Sequence, residues 1–143
     1  MIVPSPRLRG EVKKGTAMID HVSIGVRDLA RATSFYDAVL ATLGYAQLHA
    51  KPATIGYGKS YPEFWINVRP DRRATADNGL HICLRAPSKE AVDAFHAAAL
   101  RAGGSSEGAP GLRPEYHERY YAAFIVDPDG NKIEAVTFLP SAS

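Results

Sequence analysis

His21-Val-Ser-Ile-Gly-Val26 and His81-Ile-Cys-Leu-Arg-Ala86 open two stretches of the chain that match at a constant spacing of 60 residues. At that spacing His21 falls on His81, Phe35 on Phe95, Leu40 on Leu100 and Gly44 on Gly104, without a gap over 24 positions. A repeat of this kind sets the architecture, because each copy is one supersecondary unit that buries its apolar face with the help of the other. Both copies start with an alternating pattern that predicts a strand. Val22, Ile24 and Val26 share one face and His21, Ser23 and Gly25 the other, while Ile82 and Leu84 oppose His81, Cys83 and Arg85. The two histidines therefore point away from the apolar side.

A helix follows in each copy, capped by Asp28 or Ser88. Its apolar positions are Ala32, Phe35, Val39, Leu40 and Leu43 in the first, and Val92, Phe95, Ala99 and Leu100 in the second. Gly44 and Gly104 are placed to end these helices with a positive φ. Three strand-like runs come next, over 45–50, 53–57 and 64–68, which makes the first module βαβββ. The second module closes with runs over 121–126 and 132–138 around Asp127-Pro-Asp-Gly130, a strong hairpin signal. Aligning the last strands by their turns sets Ile133 on Phe64 and Glu134 on Trp65. The second copy is then about nine residues longer, with the excess around 111–119. The expected fold class is α+β: two modules, about 18–70 and 78–140, in a single domain spanning 18–140, with an irregular arm over 1–17 and a tail over 141–143.

Composition is consistent with one globular domain: 143 residues, 45% hydrophobic and 22% charged. The formal net charge is +2, and Arg7, Arg9, Lys13 and Lys14 against Glu11 concentrate it in the arm, so the rest is close to neutral. No basic face is left for nucleic acid or for an anionic membrane. Cys83 is the only cysteine, which excludes an intramolecular disulfide and suits a reducing compartment, so a cytoplasmic location is expected. No apolar run approaches the roughly 18 residues that span a bilayer.

Four segments carry a resemblance to a known family: Asp20-His-Val-Ser-Ile-Gly-Val26, Asp28-Leu-Ala-Arg-Ala32 with Phe35-Tyr36, Gly79-Leu-His-Ile82, and Asp127-Pro-Asp-Gly-Asn-Lys-Ile-Glu134. Over about 120 residues the chain resembles the vicinal oxygen chelate superfamily of glyoxalases, bleomycin resistance proteins and dioxygenases. The resemblance implies that the modules form a concave, partly open mixed β-sheet half-barrel with helices outside. It also implies one divalent metal ion (Fe, Mn, Zn, Ni or Co) held by His21, His81 and Glu134. Two histidines in register across a repeat, with a glutamate on the related strand, fit that reading chemically, since two imidazoles and a carboxylate suit such ions and leave positions open. Glyoxalase I enzymes of this superfamily use a further ligand in the last strand of the first module. Trp65 stands there, and it can neither ligate nor move protons; Glu63, two residues away on the same strand face, is a weak substitute.

The insertion holds Arg113, Tyr116, His117, Arg119, Tyr120 and Tyr121, groups that bind anions and donate protons. His117 is the expected general acid or base and Tyr121 the expected proton donor or orienting hydroxyl. Substrate contacts are expected from Trp65, Arg85, Arg113, Tyr116 and Tyr120. The ordinary alternative is that Trp65 is core and the loop residues make surface or subunit contacts. Cys83 shares the face of His81 and is either a small buried residue or a thiol beside the metal.

The functional expectation is a metal-dependent enzyme of glyoxalase-like lyase, isomerase or thiol-transferase type that chelates a small oxygenated substrate through vicinal oxygens. An Fe(II) extradiol-type dioxygenase is one alternative, and a metal-free, bleomycin-resistance-like binder of a toxic compound is another. The resemblance also implies a homodimer, with His21 and His81 meeting within one chain or across two.

Overall fold

Asp28 and Ser88 each accept the main-chain N–H three residues on, at 3.1 Å in both cases, and so start two 13-residue helices that lie 60 positions apart. The computed structural model describes residues 17–73 and 78–141; all of the expected arm but Ala17, and the tail beyond 141, fall outside them. The first module comprises β1 (Val22–Val26), α1 (Leu29–Ala41), β2 (Ala46–Lys51), β3 (Thr54–Gly58) and β4 (Pro62–Val68). The second comprises β5 (Ile82–Arg85), α2 (Lys89–Arg101), β6 (Ser105–Leu112), β7 (Tyr120–Val126) and β8 (Lys132–Phe138).

The modules form two separate, open four-stranded sheets of identical plan, β1-β4-β3-β2 and β5-β8-β7-β6, each with one parallel pair beside antiparallel hairpins. Register confirms the repeat at the level of single residues. Val22 and Ser23 pair with Phe64 and Trp65, as Ile82 and Cys83 pair with Ile133 and Glu134, so Trp65 and Glu134 are equivalent positions. The longer second module places its extra residues in β6, which is irregular at Gly108 and Gly111, and in the 113–119 loop.

One continuous core runs through both modules. Ile24, Val26, Phe35, Val39 and Leu40 from the first join Val92, Phe95, Ala99, Ile125 and Ile133 from the second. The helices pack on one face of their sheets and against each other, at the seam between modules. The histidine faces of both sheets are left on the other side.

Two helix-end expectations are corrected. The positive φ after α2 belongs to Gly103 (102°), whereas Gly104 is small for a different reason: a Cβ there would stand 2.8 Å from the Val126 carbonyl oxygen and 2.9 Å from the Phe35 ring. Leu100 is 44% exposed, because the rotation of α2 gives the core Ala98 and Ala99 in its place.

The Asp127-Pro-Asp-Gly130 turn also joins the modules. Asp127 accepts the main-chain N–H groups of Asp129 and Asn131, each at 2.8 Å, and the Tyr36 hydroxyl of α1 at 2.6 Å. Asp129, 1% exposed, accepts from the Arg27 main chain, the Arg27 guanidinium and Arg31. Asn131 donates to the Gly25 carbonyl. The turn that begins β8 is thereby bound to the end of β1.

Candidate metal centre and its aromatic surround

Glu134 is 2% exposed although it lies on the histidine face, and a carboxylate so deeply buried needs partners for both oxygens. It has them. Oε1 stands 3.1 Å from His81 Nε2, and Oε2 accepts the Tyr120 hydroxyl at 2.6 Å. The strand plan explains the convergence, because β8 lies between β5, which follows His81, and β7, which begins at Tyr120.

The spacing of His81 and Glu134 can be tested against a shared ion. Two donors each about 2.1 Å from one metal, at tetrahedral or octahedral angles, stand roughly 3.0–3.4 Å apart. The observed 3.1 Å lies inside that window, so this pair fits two adjacent ligands of a divalent ion. His21 is not part of the convergence. Among the described residues no three His, Cys, Asp or Glu side chains of one chain are arranged to hold a metal ion, and His21 Nδ1 is held instead by Asp20 at 2.8 Å. A carboxylate on one ring nitrogen fixes the tautomer and leaves Nε2 as the nitrogen suited to a ligand bond.

Tyr120 keeps its proton: burial, followed by the hydrogen bond to Glu134, holds its hydroxyl far above the usual tyrosine range. Cys83 pairs with Glu134 across the sheet, with Sγ 4.0 Å from the Tyr120 hydroxyl. Its side chain reaches the surface, which rules out the buried alternative, yet the thiol is pushed up to about 12, first by desolvation and then by the Glu134 charge.

Aromatic rings extend the site towards the loop. Tyr120 lies edge-on to Tyr116 (5.2 Å) and to Phe138 (5.4 Å); His117 meets Phe138 at 5.6 Å, and the Arg85 guanidinium lies 5.7 Å over the same ring. His117 reaches this wall, not the Glu134 carboxylate, and its Nδ1 accepts the Arg119 main-chain N–H. Arg113 folds back onto the carbonyls of Ala109 and Gly111 and lies over Phe124. Tyr121 corrects the proton-donor assignment: neighbours on a strand face opposite ways, and its hydroxyl donates to Asp93 on α2, on the core side. Tyr120 is the tyrosine that faces Glu134, and the alternation Tyr121, Ala123, Ile125 against Tyr120, Ala122, Phe124 is the signal that distinguishes the two.

In the first sheet, Trp65 occupies the position equivalent to Glu134 and is completely buried, with its ring against His49 at 5.5 Å and its Nε1 without a partner. It is buried on the histidine side of its sheet, apart from the core cluster that Phe64 and Ile66 join on the other side. Glu63 is exposed two residues away, and its charge raises the hydroxyl pKa of half-buried Tyr45 after the effect of burial.

Two βαβββ modules with open four-stranded sheets, and an acid-histidine pair on the exposed face of the second, define a class of fold, and comparison with known proteins gives that class its family. Residues 18–135 match the model of the glyoxalase/bleomycin resistance protein/dioxygenase superfamily, and the chain belongs to it. It is similar to a glyoxalase/bleomycin resistance protein from Albidiferax ferrireducens T118, at 39% identity and a TM-score of 0.75, over 84% of this chain and 98% of that one. The fold is shared with a glyoxalase/bleomycin resistance protein/dioxygenase family enzyme from Burkholderia phytofirmans PsJN (22% identity, TM-score 0.67, 86% and 100% covered). It is shared too with a glyoxalase/bleomycin resistance protein/dioxygenase from Alicyclobacillus acidocaldarius (18%, 0.62, 90% and 96%). Comparison with the curated proteins finds no match. Among the described residues, no helix is long and apolar enough to cross a membrane.

Proposed function

We propose that this protein is a divalent-metal-dependent enzyme that binds a small substrate through two adjacent oxygens, with His81 and Glu134 of one chain and His21 of a second copy as the metal ligands. The observation that carries the reading is the 3.1 Å approach of His81 Nε2 to a carboxylate that is almost fully buried, on an otherwise open sheet face. His21 sits at the matching place of the other sheet with its Nδ1 already held by Asp20, and the two histidine faces of one chain look away from a shared core. A homodimer that sets the first sheet of one chain beside the second sheet of another brings three ligands together in two equal sites.

A divalent ion bound there supplies Lewis-acid stabilisation of an enolate, alkoxide or oxyanion, or oxygen activation if it is iron. The chain itself contributes orientation and proton control. Tyr120 donates its hydroxyl hydrogen bond to one Glu134 oxygen and so fixes that carboxylate, and the Cys83 thiol stands beside the same hydroxyl. Tyr116, Phe138, His117 and Arg85 form the wall on which specificity rests, with His117 placed to exchange protons at the outer edge. Trp65 at the site of a possible further ligand directs the reading away from glyoxalase I chemistry and towards three-ligand lyase, isomerase or transferase chemistry.

Elemental analysis of the untagged protein tests the ligand set. Wild type is expected to hold close to one ion per chain, and His21→Ala, His81→Ala and Glu134→Ala to lose it. Unfolding and refolding His21→Ala together with Glu134→Ala adds a decisive arm. If sites are shared, half the dimers are mixed and each carries one intact site, so about a quarter of the metal returns. If none returns while wild type refolds with metal, sharing is refuted. A wild-type chain that takes up no metal replaces the enzyme with a protein that sequesters its ligand, and bound iron favours a dioxygenase.

A further inference from the structure

The first sheet carries a cavity that the metal reading does not use. It has a volume of about 530 Å³ and is lined by Ser23, Gly25, Asn67, Arg69, Asp71 and Arg72, among others. Its origin lies in the repeat. In the second module Arg85 and Phe138 fill the equivalent positions and pack on each other; in the first those positions are Gly25 and Arg69. A Cβ on Gly25 would stand 3.2 Å from Arg69 Cγ and 3.7 Å from Arg72 Cδ, so both arginine stems cross the space that a larger residue would take.

The donors in this cavity are incompletely used. Arg72 Nε is buried and makes no hydrogen bond, a condition that calls for an explanation in a native protein because an unpaired buried N–H of a charged group is costly. Arg69 donates from Nη1 to the Val68 carbonyl at 2.8 Å, which leaves the rest of its guanidinium fork. Ser23 Oγ accepts from Asn67 Nδ2 at 2.6 Å, so its own O–H remains to be donated. Asp71 also lines the cavity, yet among the described residues no ion pair joins Arg69 or Arg72 to a carboxylate.

We propose that Arg69, Arg72 and the Ser23 hydroxyl form a binding site for an anionic group, a carboxylate or a phosphoryl, borne by the substrate. Two guanidiniums and a hydroxyl match the lone pairs of a planar or tetrahedral oxyanion, and the ligand supplies the acceptor that the Arg72 N–H lacks. The link to substrate rests on the metal reading above. Ser23 and Gly25 follow His21 in two-residue steps on one strand face, so the cradle stands roughly 7–13 Å from that imidazole. The substrate is therefore an acid whose charged end is several bonds removed from the oxygens that meet the metal.

Calorimetric titration with inorganic phosphate, at low ionic strength and with sodium chloride at equal ionic strength as the control, tests the cradle. Saturable binding at one site per chain is expected, weakened about 10- to 100-fold in Arg72→Gln and in Arg69→Gln and unchanged in Arg101→Gln, a charge removed from the far end of α2. Wild type and Arg72→Gln titrating alike, or chloride reproducing the phosphate signal, overturns the proposal. Far-UV circular dichroism of each variant establishes that a loss of binding is not a loss of fold. A parallel acetate titration assigns the group, the tighter ligand marking phosphoryl or carboxylate. Glu134→Ala separates the two readings: it is expected to lose metal and keep phosphate. Phosphate binding without metal in the wild type supports the cradle and sinks only the metal reading, whereas metal binding without phosphate sinks only the cradle.

Discussion

Replacing Asp129 by alanine removes the acceptor that joins β8 to the first module. Its Oδ1 receives the Arg27 main-chain N–H at 3.0 Å, Arg27 Nε at 2.9 Å and Arg31 Nη2 at 3.1 Å, from a carboxylate that is 1% exposed. Breaking a buried ion pair on one side costs about 3–5 kcal/mol when the remaining charge is buried too. Here the arginine side chains are 35% and 46% exposed, so water takes over part of their solvation and the figure falls. Oδ2 is buried without a partner, a cost that the alanine variant escapes. The balance is a loss of about 2 kcal/mol. With an unfolding entropy of about 0.3 kcal/mol/K for a chain of this length, the midpoint falls by about 7 °C. Differential scanning calorimetry of Asp129→Ala, Arg31→Ala and the double variant is the assay. Arg31→Ala should cost well under 1 kcal/mol, and the double variant less than the sum of the two. A drop below 2 °C for Asp129→Ala, or strict additivity, would show that the turn is held by its other bonds, from Tyr36 to Asp127 and from Asn131 to Gly25, and not by Asp129.

Three further outcomes follow from the same geometry. Gly104→Ala should destabilise by about 2–3 kcal/mol in denaturant unfolding, because its Cβ meets a main-chain carbonyl that cannot step aside, while Gly103→Ala, strained in φ but with open space, should cost about 1 kcal/mol. Tyr120→Phe should weaken metal binding about tenfold or more through the loosened Glu134, and Tyr121→Phe should leave it unchanged; competition against a chromogenic chelator distinguishes them. At alkaline pH, fully buried Tyr36 holds its proton far above the usual tyrosine value, chiefly through burial and then the Asp127 charge. The unfolded state loses that proton near pH 10 and the folded state does not, so stability is intact below pH 10 and falls as pH rises beyond it. Urea midpoints from pH 8 to 11.5 should show the decline, reduced in Tyr36→Phe.

Much of this protein is settled by local pattern. The 60-residue repeat, the alternation around His21 and His81, the caps at Asp28 and Ser88 and the Asp127-Pro-Asp-Gly130 turn depend on neighbours in the chain, and the strand register bears them out down to the equivalence of Trp65 and Glu134. Alternation along β7 also separates Tyr120, which faces Glu134, from Tyr121, which faces Asp93 on the core side. Other features needed the tertiary structure. Gly104 matters because Phe35 and Val126 arrive from elsewhere in the chain, Leu100 is exposed because α2 is rotated against its sheet, and Cys83 is exposed in the single chain because the helices pack on the opposite face of its sheet. Local sequence determines which face a side chain takes. Which faces then meet depends on how the modules stack, and that is a competition among long-range contacts. Here the helices meet at the seam, which keeps His81 with Glu134 and parts them from His21 within one chain.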